Sequence, residues 1–297
     1  MLKVAGWSIM IPGILFFVFL FAMMPVLLQA SPIDGTLQLS WEQGFQSLKD
    51  YFAGLGNGDS FQFYSGKNER SFWEWIGSYF VTSFYYVAAA GVAGTAIGLF
   101  VGIYFSLSEA RITRSIVDFV GSLPDFVIVL IMQFAVVLVA REFDVVLFEV
   151  ATLNSEEPAI ALPLIAMIII PANYMIRGVA MQMRLTLKED YIGNAKARGL
   201  GKLYIVFYHA LPNVLPFVKG DLHKLMGIIM GNLFIVEYLF NNNGVSMLIF
   251  TNAFVEQSGI YQYNIVVNGL LSFLALYLAG YAVIRAFLFL LGRVFLR

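Results

Sequence analysis

Cysteine is absent from the 297-residue chain, and histidine occurs only twice. The lack of cysteine excludes disulfide bonds, thiol catalysis and cysteine-ligated metals. Charged residues make up only 12% of the chain, and its net charge of −1 leaves no basic surface for nucleic acid. The sequence contains neither a Gly-x-x-x-x-Gly-Lys-Ser/Thr phosphate loop nor a His-Glu-x-x-His pair. We therefore expect no catalytic residue, no metal site, no cofactor and no ATP hydrolysis by the chain itself.

Apolar residues, in contrast, are abundant. They make up 60% of the chain, and the mean hydropathy is +0.79, whereas soluble domains are about 45–50% apolar. A bilayer core about 30 Å thick requires roughly 20 apolar residues in a helix. Six segments meet this requirement, at residues 4–28, 81–105, 114–141, 159–176, 217–240 and 260–284. The sequence therefore predicts an all-α membrane protein with six transmembrane helices in contact with lipid.

Basic residues are distributed asymmetrically between the predicted loops. If the N-terminus lies in the cytoplasm, 14 of the 18 lysine and arginine residues fall in cytoplasmic loops or ends. The exceptions are Lys49, Lys67, Arg70 and Arg141. Because loops rich in lysine and arginine stay in the cytoplasm, both termini are predicted to be cytoplasmic.

The composition divides the chain into three parts. Residues 1–30 are predicted to form the first transmembrane helix. Their apolar run of about 25 residues exceeds the roughly 7–15 of a cleaved signal peptide, which favours a retained anchor. Residues 31–76 form an acidic, glycine-containing extracytoplasmic insert, and its aromatic stretch at 72–76 predicts an interfacial helix. The insert is either a solvated loop or a cap that contacts a substrate-delivery protein. Residues 77–297 complete a five-helix core.

Small residues and prolines predict how the spans pack. Gly94, Gly98 and Gly102 recur every four residues on one face of the second span, a spacing that lets two helices approach closely in lipid. We expect this packing to occur within the subunit. Pro124 in the third span and Pro171 in the fourth interrupt helical hydrogen bonding, which is tolerated mainly beside protein or a water-filled cavity.

Four acidic residues, Asp118, Asp125, Asp221 and Glu237, fall within predicted spans, where an ionisable side chain is a functional candidate by default. Asp118 and Asp221 lie close to the span starts, so Asp125 and Glu237 are the candidates. Asp125 lies in the third span, seven residues or about two turns beyond Asp118. It is a possible pathway residue, or it pairs with a neighbouring helix. Glu237 lies near the outer end of the fifth span, where it serves either as an outer gate in the pathway or as an interfacial carboxylate.

A polar loop at residues 184–216 separates the fourth and fifth spans. It runs Asp190-Tyr191-Ile192-Gly193-Asn194-Ala195-Lys196-Ala197-Arg198-Gly199-Leu200 and continues to Leu211-Pro212. The small side chains of Ala195 and Ala197 let the surface of another protein approach closely. Gly199 can adopt the left-handed conformation that ends a helix, and Pro212 restricts the segment before the next span.

This loop resembles the cytoplasmic loop of ABC-importer permeases, most closely that of the oligopeptide, dipeptide and nickel branch. One difference is that the general motif opens with Glu-Ala-Ala, whereas this chain has Gly193-Asn194-Ala195. The resemblance extends from about Tyr79 to the C-terminus and implies a type I ABC importer permease fold. It also implies that the contacts with an ATPase are made by Asp190, Tyr191, Asn194, Ala195, Ala197, Gly199, Leu200, Leu211 and Pro212.

The resemblance further implies a function. The chain would be a permease subunit of an ATP-driven importer for oligopeptides or dipeptides in the bacterial cytoplasmic membrane, and it would work by alternating access. Its partners would be two ATP-binding cassette ATPase subunits, a second homologous permease subunit and an extracytoplasmic substrate-binding protein. Nickel and other small-solute importers share the loop and are an alternative. An ion-coupled secondary transporter would need more intramembrane charge and repeated halves. An intramembrane enzyme would need paired aspartates, or a serine with a histidine, deep in adjacent spans, whereas Asp125 stands alone.

Overall fold

The computed structural model describes residues 2–30, 36–108, 111–153, 158–255 and 258–295. Within these ranges the chain is mostly helical, with two short β-hairpins before the second long helix. The helices are α1 (Leu2–Leu27), α2 (Trp41–Gly54), α3 (Phe72–Leu107), α4 (Arg111–Val120), α5 (Asp125–Phe143), α6 (Ala161–Thr186), α7 (Asp190–Ala197), α8 (Lys202–Tyr204), α9 (Leu211–Gly220), α10 (Leu222–Leu239), α11 (Val245–Asn252) and α12 (Tyr263–Phe295). The strands are β1 (Leu28–Ala30), β2 (Leu37–Leu39), β3 (Gln62–Ser65) and β4 (Asn68–Ser71).

Six of the helices in the described part of the chain are long and apolar enough to cross a membrane. These are α1, through its window Met10–Leu27, and α3, α5, α6, α10 and α12. The prediction of an all-α membrane protein with six spans is confirmed.

The third span begins later than the sequence predicts. The predicted segment 114–141 is divided into α4 and α5 by a turn over residues 121–124. Pro124 has φ −60° and ψ 144° and precedes the first residue of α5. Because proline lacks an N–H group, it is well tolerated at a helix start. Pro124 therefore begins the span instead of interrupting it, and Asp125 lies in the first turn of the span and not in one continuous helix with Asp118.

Two other boundaries also differ from the predicted ones. Residues 217–220, predicted as the start of the fifth span, end α9, and α10 begins after Asp221, which has φ −90° and ψ 1°. The aromatic stretch at 72–76 begins α3, which continues without a break for 36 residues. It is therefore helical and continuous with a span, and its location at the membrane interface stays a prediction.

The chain divides into two compact units, and the first comprises Met1–Val81 and Asn243–Ala275. In this unit both hairpins are antiparallel, and polar contacts join the insert to α12. The Tyr51 hydroxyl donates to Asn268 Oδ1 at 2.7 Å. Burial raises the pKa of this hydroxyl, so it stays protonated at neutral pH. The described part of the insert thus packs into the apolar core of this unit, together with α1, α11 and α12. This core contains Ala22, Met23, Leu27, Tyr51, Phe63, Phe72, Leu248, Tyr263, Ile265, Val266 and Val267.

The second unit comprises Thr82–Asn242 and Leu276–Arg297, and α3 packs against α6 within it. The three glycines at four-residue spacing make this contact, as predicted. Gly94 faces Pro171, Gly98 faces Met175 and Gly102 faces Val179. A Cβ atom at Gly102 would lie 2.8 Å from the Val179 Cβ, and one at Gly98 would overlap the Met175 Cβ. Small residues are therefore required for the close approach of these two helices.

Candidate functional site

An open cleft of about 910 Å³ lies among α4, α5, α6, α9 and α10. Its wall combines apolar side chains, such as Ile128 and Ile170, with an unusual concentration of charge for a membrane protein. The charged residues are Arg114, Asp118, Asp125, Arg177, Arg184, Asp221 and Lys224. Charged side chains at membrane depth normally face a water-filled cavity or a polar partner. The cleft is therefore the first candidate for a functional site.

An ion pair and an amide join α4 to α6 on one wall of the cleft. Arg177 Nε lies 3.6 Å from Asp118 Oδ1, and both side chains are more than half exposed, so the pair contributes about 1 kcal/mol at most. The Asn173 amide donates to the Val117 carbonyl at 2.7 Å. A Cβ atom at Gly121 would lie 2.7 Å from Asn173 Oδ1 and 2.8 Å from Arg177 Nη1. The glycine therefore allows the end of α4 to approach α6.

Tyr174, also on α6, contacts two charged residues at the start of α10. The Tyr174 hydroxyl donates to the Asp221 carboxylate, and Lys224 Nζ lies 5.0 Å from the centre of the Tyr174 ring. At this distance a cation is attracted to the face of an aromatic ring. Sequence reasoning missed Tyr174, because a tyrosine in an apolar helix carries no signal of its own and only the fold brings it to Asp221.

Asp125 lines the same cleft in the first turn of α5. The N-terminus of a helix stabilises a negative charge there. Asp118 and Asp221 have the partners described above, whereas neither ion pair found among the described residues involves Asp125. The structure thus presents a carboxylate to the cleft, and its role in a pathway stays a prediction.

Two arginines on the cleft wall cap the end of α3. Arg114 Nη2 donates to the Phe105 carbonyl at 3.0 Å and to the Ser108 carbonyl at 2.7 Å. Arg184 Nη2 donates to the Phe105 carbonyl at 3.4 Å. The last carbonyls of a helix lack partners within the helix, and a cation there is favourable. These two side chains therefore hold the fold together as well as line the cleft.

Glu237 lies outside the set of residues that line the cleft. It is fully buried near the end of α10 and accepts a hydrogen bond from the Ser83 hydroxyl of α3. Glu237 is thus enclosed by neighbouring helices of the same chain. Both alternatives for it, an outer gate in the pathway and a carboxylate at the depth of the membrane interface, stay predictions.

A buried polar network follows the last turn of α10. The Asn242 amide donates to the Tyr86 hydroxyl at 3.2 Å, and its carbonyl oxygen accepts from Thr152 Oγ1 at 2.7 Å. The Tyr86 hydroxyl in turn donates to the Ala159 carbonyl at 2.9 Å. Because each of these polar groups is buried with a partner, the network stabilises one arrangement of the chain between the spans.

The predicted loop at 184–216 is largely helical, and α7 has two distinct faces. Ile192 and Ala195 are buried, whereas Tyr191, Asn194 and Ala197 are exposed. Ala195 is only 5% exposed, so it packs within the subunit and is not free to contact another protein. The interpretation that both alanines let another protein approach is therefore wrong for Ala195, and for the exposed Ala197 it stays a prediction.

The end of α7 explains the glycine of the motif. Gly199 has φ +78°, the left-handed conformation predicted from the sequence. Its N–H donates to the Lys196 carbonyl at 2.9 Å, and the Leu200 N–H donates to the Ala195 carbonyl at 3.3 Å. These two bonds form the Schellman motif that satisfies the last carbonyls of a helix. Gly199 and Leu200 thus shape the helix end.

The segment that follows α7 adds exposed aromatic residues. After α8 the chain forms a π-helical turn over Ile205–Ala210 and then α9. The rings of Tyr204 and Tyr208 stack at 4.8 Å between centroids, and each is about half exposed. Leu211 is buried and Pro212 is partly buried. Six of the exposed side chains of this region are taken together as the loop surface: Tyr191, Asn194, Ala197, Leu203, Tyr204 and Tyr208. Charged side chains around them are exposed as well, among them Asp190, Lys196, Arg198 and Lys202.

Asn213 connects the two parts of the loop. Its amide donates to the Tyr191 hydroxyl at 3.0 Å and to the His209 carbonyl at 2.8 Å. Partial burial, together with the charge of Glu189, raises the pKa of Tyr191, while the bond from Asn213 opposes this effect. The Tyr191 hydroxyl is therefore neutral at physiological pH and available as a donor at the loop surface.

The fold and these two sites define a multi-pass membrane protein with a polar cleft among its spans and a helical surface between two of them. A family model described as "Binding-protein-dependent transport system inner membrane component" matches residues 94–296. The chain belongs to this family, which places it in the bacterial inner membrane as a component of a transport system.

Several relatives agree with this assignment. The chain is 35% identical over 121 residues to the dipeptide transport system permease protein of Bacillus subtilis, which covers 40% of this chain and 37% of the relative. It is 30% identical over 94 residues to the oligopeptide transport system permease protein of Mycoplasma genitalium, covering 31% and 22%. It is 26% identical over 179 residues to the metal-staphylopine import system permease protein of Staphylococcus aureus, covering 59% and 55%. The chain thus spans less than two thirds of the length of each of these relatives.

A solved structure shares the fold. The MetNI methionine ABC transporter, in an inward-facing conformation, matches with a TM-score of 0.53 and 16% sequence identity. The match covers 73% of this chain and 97% of the other. The arrangement of the helices is therefore that of an ABC importer permease.

Proposed function

We propose that this chain is a permease subunit of an ATP-driven importer of short peptides. The observation that carries the proposal is the charged cleft among the spans, combined with an exposed helical surface on the loop between α6 and α10. A transport subunit needs both a polar route through the membrane and a surface that receives energy from elsewhere. The family assignment and the relatives named for dipeptide and oligopeptide transport support this reading.

The cleft forms this subunit's share of the translocation pathway. A peptide carries an ammonium group at one end and a carboxylate at the other. Asp125 provides a carboxylate for the first, and Lys224 provides an ammonium for the second. Apolar wall residues, including Ile128 and Ile228, contact side chains of varied shape without selecting among them. Because a second, homologous permease subunit is expected to complete the pathway, each subunit needs to supply only part of the lining.

The loop surface couples the spans to ATP hydrolysis. The chain contains no phosphate-binding loop of its own, so two separate ATP-binding cassette ATPase subunits supply the energy. The exposed face of α7 and the tyrosines after α8 dock on one of them. Closure of the ATPases then moves the loop and the attached spans, and the cleft opens alternately to either side of the membrane.

An extracytoplasmic binding protein delivers the substrate on the opposite side. The distribution of basic residues supports this arrangement, because it predicts that both termini and the loop surface lie in the cytoplasm. The acidic insert at 31–76 then faces outward, where the binding protein arrives.

Uptake by cells that lack this chain tests the proposal. We expect loss of labelled dipeptide and oligopeptide uptake, resistance to toxic peptide analogues and unchanged uptake of free amino acids. Re-expression of the chain should restore peptide uptake, and the ATPase subunits should co-purify with it. Unchanged peptide uptake would contradict the proposed substrate.

Two outcomes would favour other functions. The match to the metal-staphylopine permease covers more of this chain than the two peptide-permease matches described above, so nickel accumulation is measured in the same strains. Loss of nickel accumulation with normal peptide uptake would indicate a small-solute importer. Uptake that needs a proton or sodium gradient, with no co-purifying ATPase, would indicate a secondary transporter.

A further inference from the structure

An apolar stripe runs along α2, in the first unit. Trp41, Phe45 and Phe52 are each more than half exposed, and their spacing of four and seven residues places them on one side of the helix. Leu37 and Leu39 of β2, just before the helix, are exposed as well. A large apolar surface of this kind normally marks a binding site for protein or membrane.

The stripe is distinct from the other two faces of α2. Gly44 and Tyr51 are buried against the rest of the unit. Glu42, Gln46 and Asp50 are exposed on a polar face, where the Gln46 amide donates to the Asp50 carboxylate at 2.7 Å. At about 100° per residue these three sets point in different directions. The apolar stripe is therefore neither part of the core nor part of the charged, solvated face.

α2 lies along the C-terminal half of α1 and runs in the opposite direction. A Cβ atom at Gly44 would lie 2.7 Å from a Leu27 methyl carbon and 2.8 Å from the Met23 sulfur. Eight residues later, the Phe52 ring lies 5.2 Å from the Phe19 ring. Because the contacts move backwards along α1 as α2 advances, the stripe lies beside the apolar span window Met10–Leu27.

The neighbouring surface of α1 is itself suited to lipid. Phe16, Phe17, Phe21 and Met24 are strongly exposed on this helix, and only 17% of its span window is buried within the protein. The contact between Phe52 and Phe19 joins the stripe to this helix. Trp41 lies next to the end of the window, the depth at which tryptophan is enriched in membrane proteins.

We propose that the apolar stripe of α2 binds membrane lipid and that α2 anchors the insert to the bilayer beside α1. The occupant is lipid because the stripe continues the lipid-facing surface of a membrane span and carries no charged side chain. Glu42, Gln46 and Asp50 on the other exposed face remain in water or among lipid headgroups. The separation of aromatic and charged residues onto different faces of α2 lets one face contact lipid while the other stays hydrated.

Site-directed spin labelling tests this proposal directly, because the chain has no native cysteine. Phe45→Cys places a nitroxide on the stripe, and Gln46→Cys places one on the adjacent polar face. The full chain, purified with the subunits that accompany it, is reconstituted in phosphatidylcholine and phosphatidylglycerol nanodiscs. Two collision rates of the nitroxide are compared: with oxygen, which dissolves in lipid, and with a nickel chelate, which dissolves in water. The wild-type chain in the same preparation gives the background signal.

We expect the ratio of oxygen to nickel accessibility to be several-fold higher at position 45 than at position 46. Phe52→Cys and Asp50→Cys should repeat this contrast further along the helix. High nickel accessibility at position 45 would show a solvated surface, or one left free for a soluble partner. Low accessibility to both reagents would show a surface covered by protein. Either result overturns the proposal, and since Phe45 and Phe52 are exposed, neither variant removes a core residue.

Discussion

Two acidic residues on span helices of this protein have opposite surroundings. Glu237 is fully buried near the end of α10 with the Ser83 hydroxyl against it, whereas Asp125 begins α5 and faces an open cleft. Water and nearby charges can stabilise Asp125, but Glu237 depends on hydrogen bonds within the protein. An acidic residue in an apolar helix is therefore not evidence of transport by itself, because its surroundings decide what it can do.

The largest effect is expected from removing the buried carboxyl group. Glu237→Ala leaves the Ser83 hydroxyl without this partner and creates a cavity, which together should destabilise the chain by about 2–5 kcal/mol. Glu237→Gln keeps the volume and an acceptor oxygen and should retain most of the stability. Thermal stability of the detergent-extracted chain, followed by size-exclusion chromatography, measures the difference. A stable Glu237→Gln variant that no longer transports peptide would contradict the structural role.

Ala195 and Ala197 of α7 show the same contrast, because Ala195 is buried and Ala197 is exposed. Substitutions at these two positions should therefore affect folding and coupling to the ATPase separately. Ala197→Arg should leave the chain folded, because the new side chain enters water, yet peptide uptake should stop. An unpaired charge buried against an ATPase should cost about 3–5 kcal/mol, which lowers docking affinity more than a hundredfold at about 1.4 kcal/mol per tenfold. Ala195→Arg should instead destabilise the chain, because Ala195 is buried.

Co-purification of the ATPases and peptide uptake are measured together for these variants. Asn57→Arg, in the exposed part of the insert, serves as the silent control. Gly199→Arg is less informative, since its positive φ strains any side chain. If Ala197→Arg keeps both the ATPases and normal uptake, the loop surface is not the coupling element.

A smaller and more selective effect is expected in the cleft. Asp125→Asn should leave stability unchanged, because the carboxylate is partly exposed at a helix start. Uptake of peptides with a free amino terminus should fall about tenfold or more, since a hydrogen bond to a charged group is worth about 1.5–3 kcal/mol. Initial uptake rates measure this change.

Amino-terminally acetylated peptides provide the matched comparison for Asp125. They lack the ammonium group, so the wild type and the Asp125→Asn variant should take them up equally. If the Asp125→Asn variant takes up free and acetylated peptides equally slowly, Asp125 supports the cleft as a whole and does not contact the amino terminus of the substrate.

Cysteine labelling should establish on which side each region lies without affecting transport. A cysteine at Asn57 should react with an impermeant reagent in intact cells, and one at Lys202 only after permeabilisation. With the order of the spans, this result would place Asp125 at a cytoplasmic helix end and Glu237 near the outer side. Labelling of position 202 from outside would reverse the proposed orientation and contradict docking to cytoplasmic ATPases.

The amino-acid sequence by itself determined the features that depend on residues close together in the chain. Six apolar runs specify six spans, because each helix must satisfy its backbone hydrogen bonds internally within lipid. The four-residue spacing of Gly94, Gly98 and Gly102 specifies a close-packing face, and Gly199 specifies the end of α7. These signals are local, so they can be read without knowing the fold.

Only the tertiary structure decided which polar side chains are enclosed and which face the cleft. Ser83 meets Glu237 and Tyr174 meets Asp221 across large separations in sequence, so neither pair leaves a periodic pattern in the chain. The burial of Ala195 beside the exposed Ala197 likewise follows from how α7 rests on its neighbours. The hydropathy of residues 114–141 does not locate the start of α5 either. The chain leaves α4 at Gly121, which lies against α6, and α5 begins only after Pro124. Packing between distant segments sets the surroundings of each polar group, and those surroundings determine its chemistry.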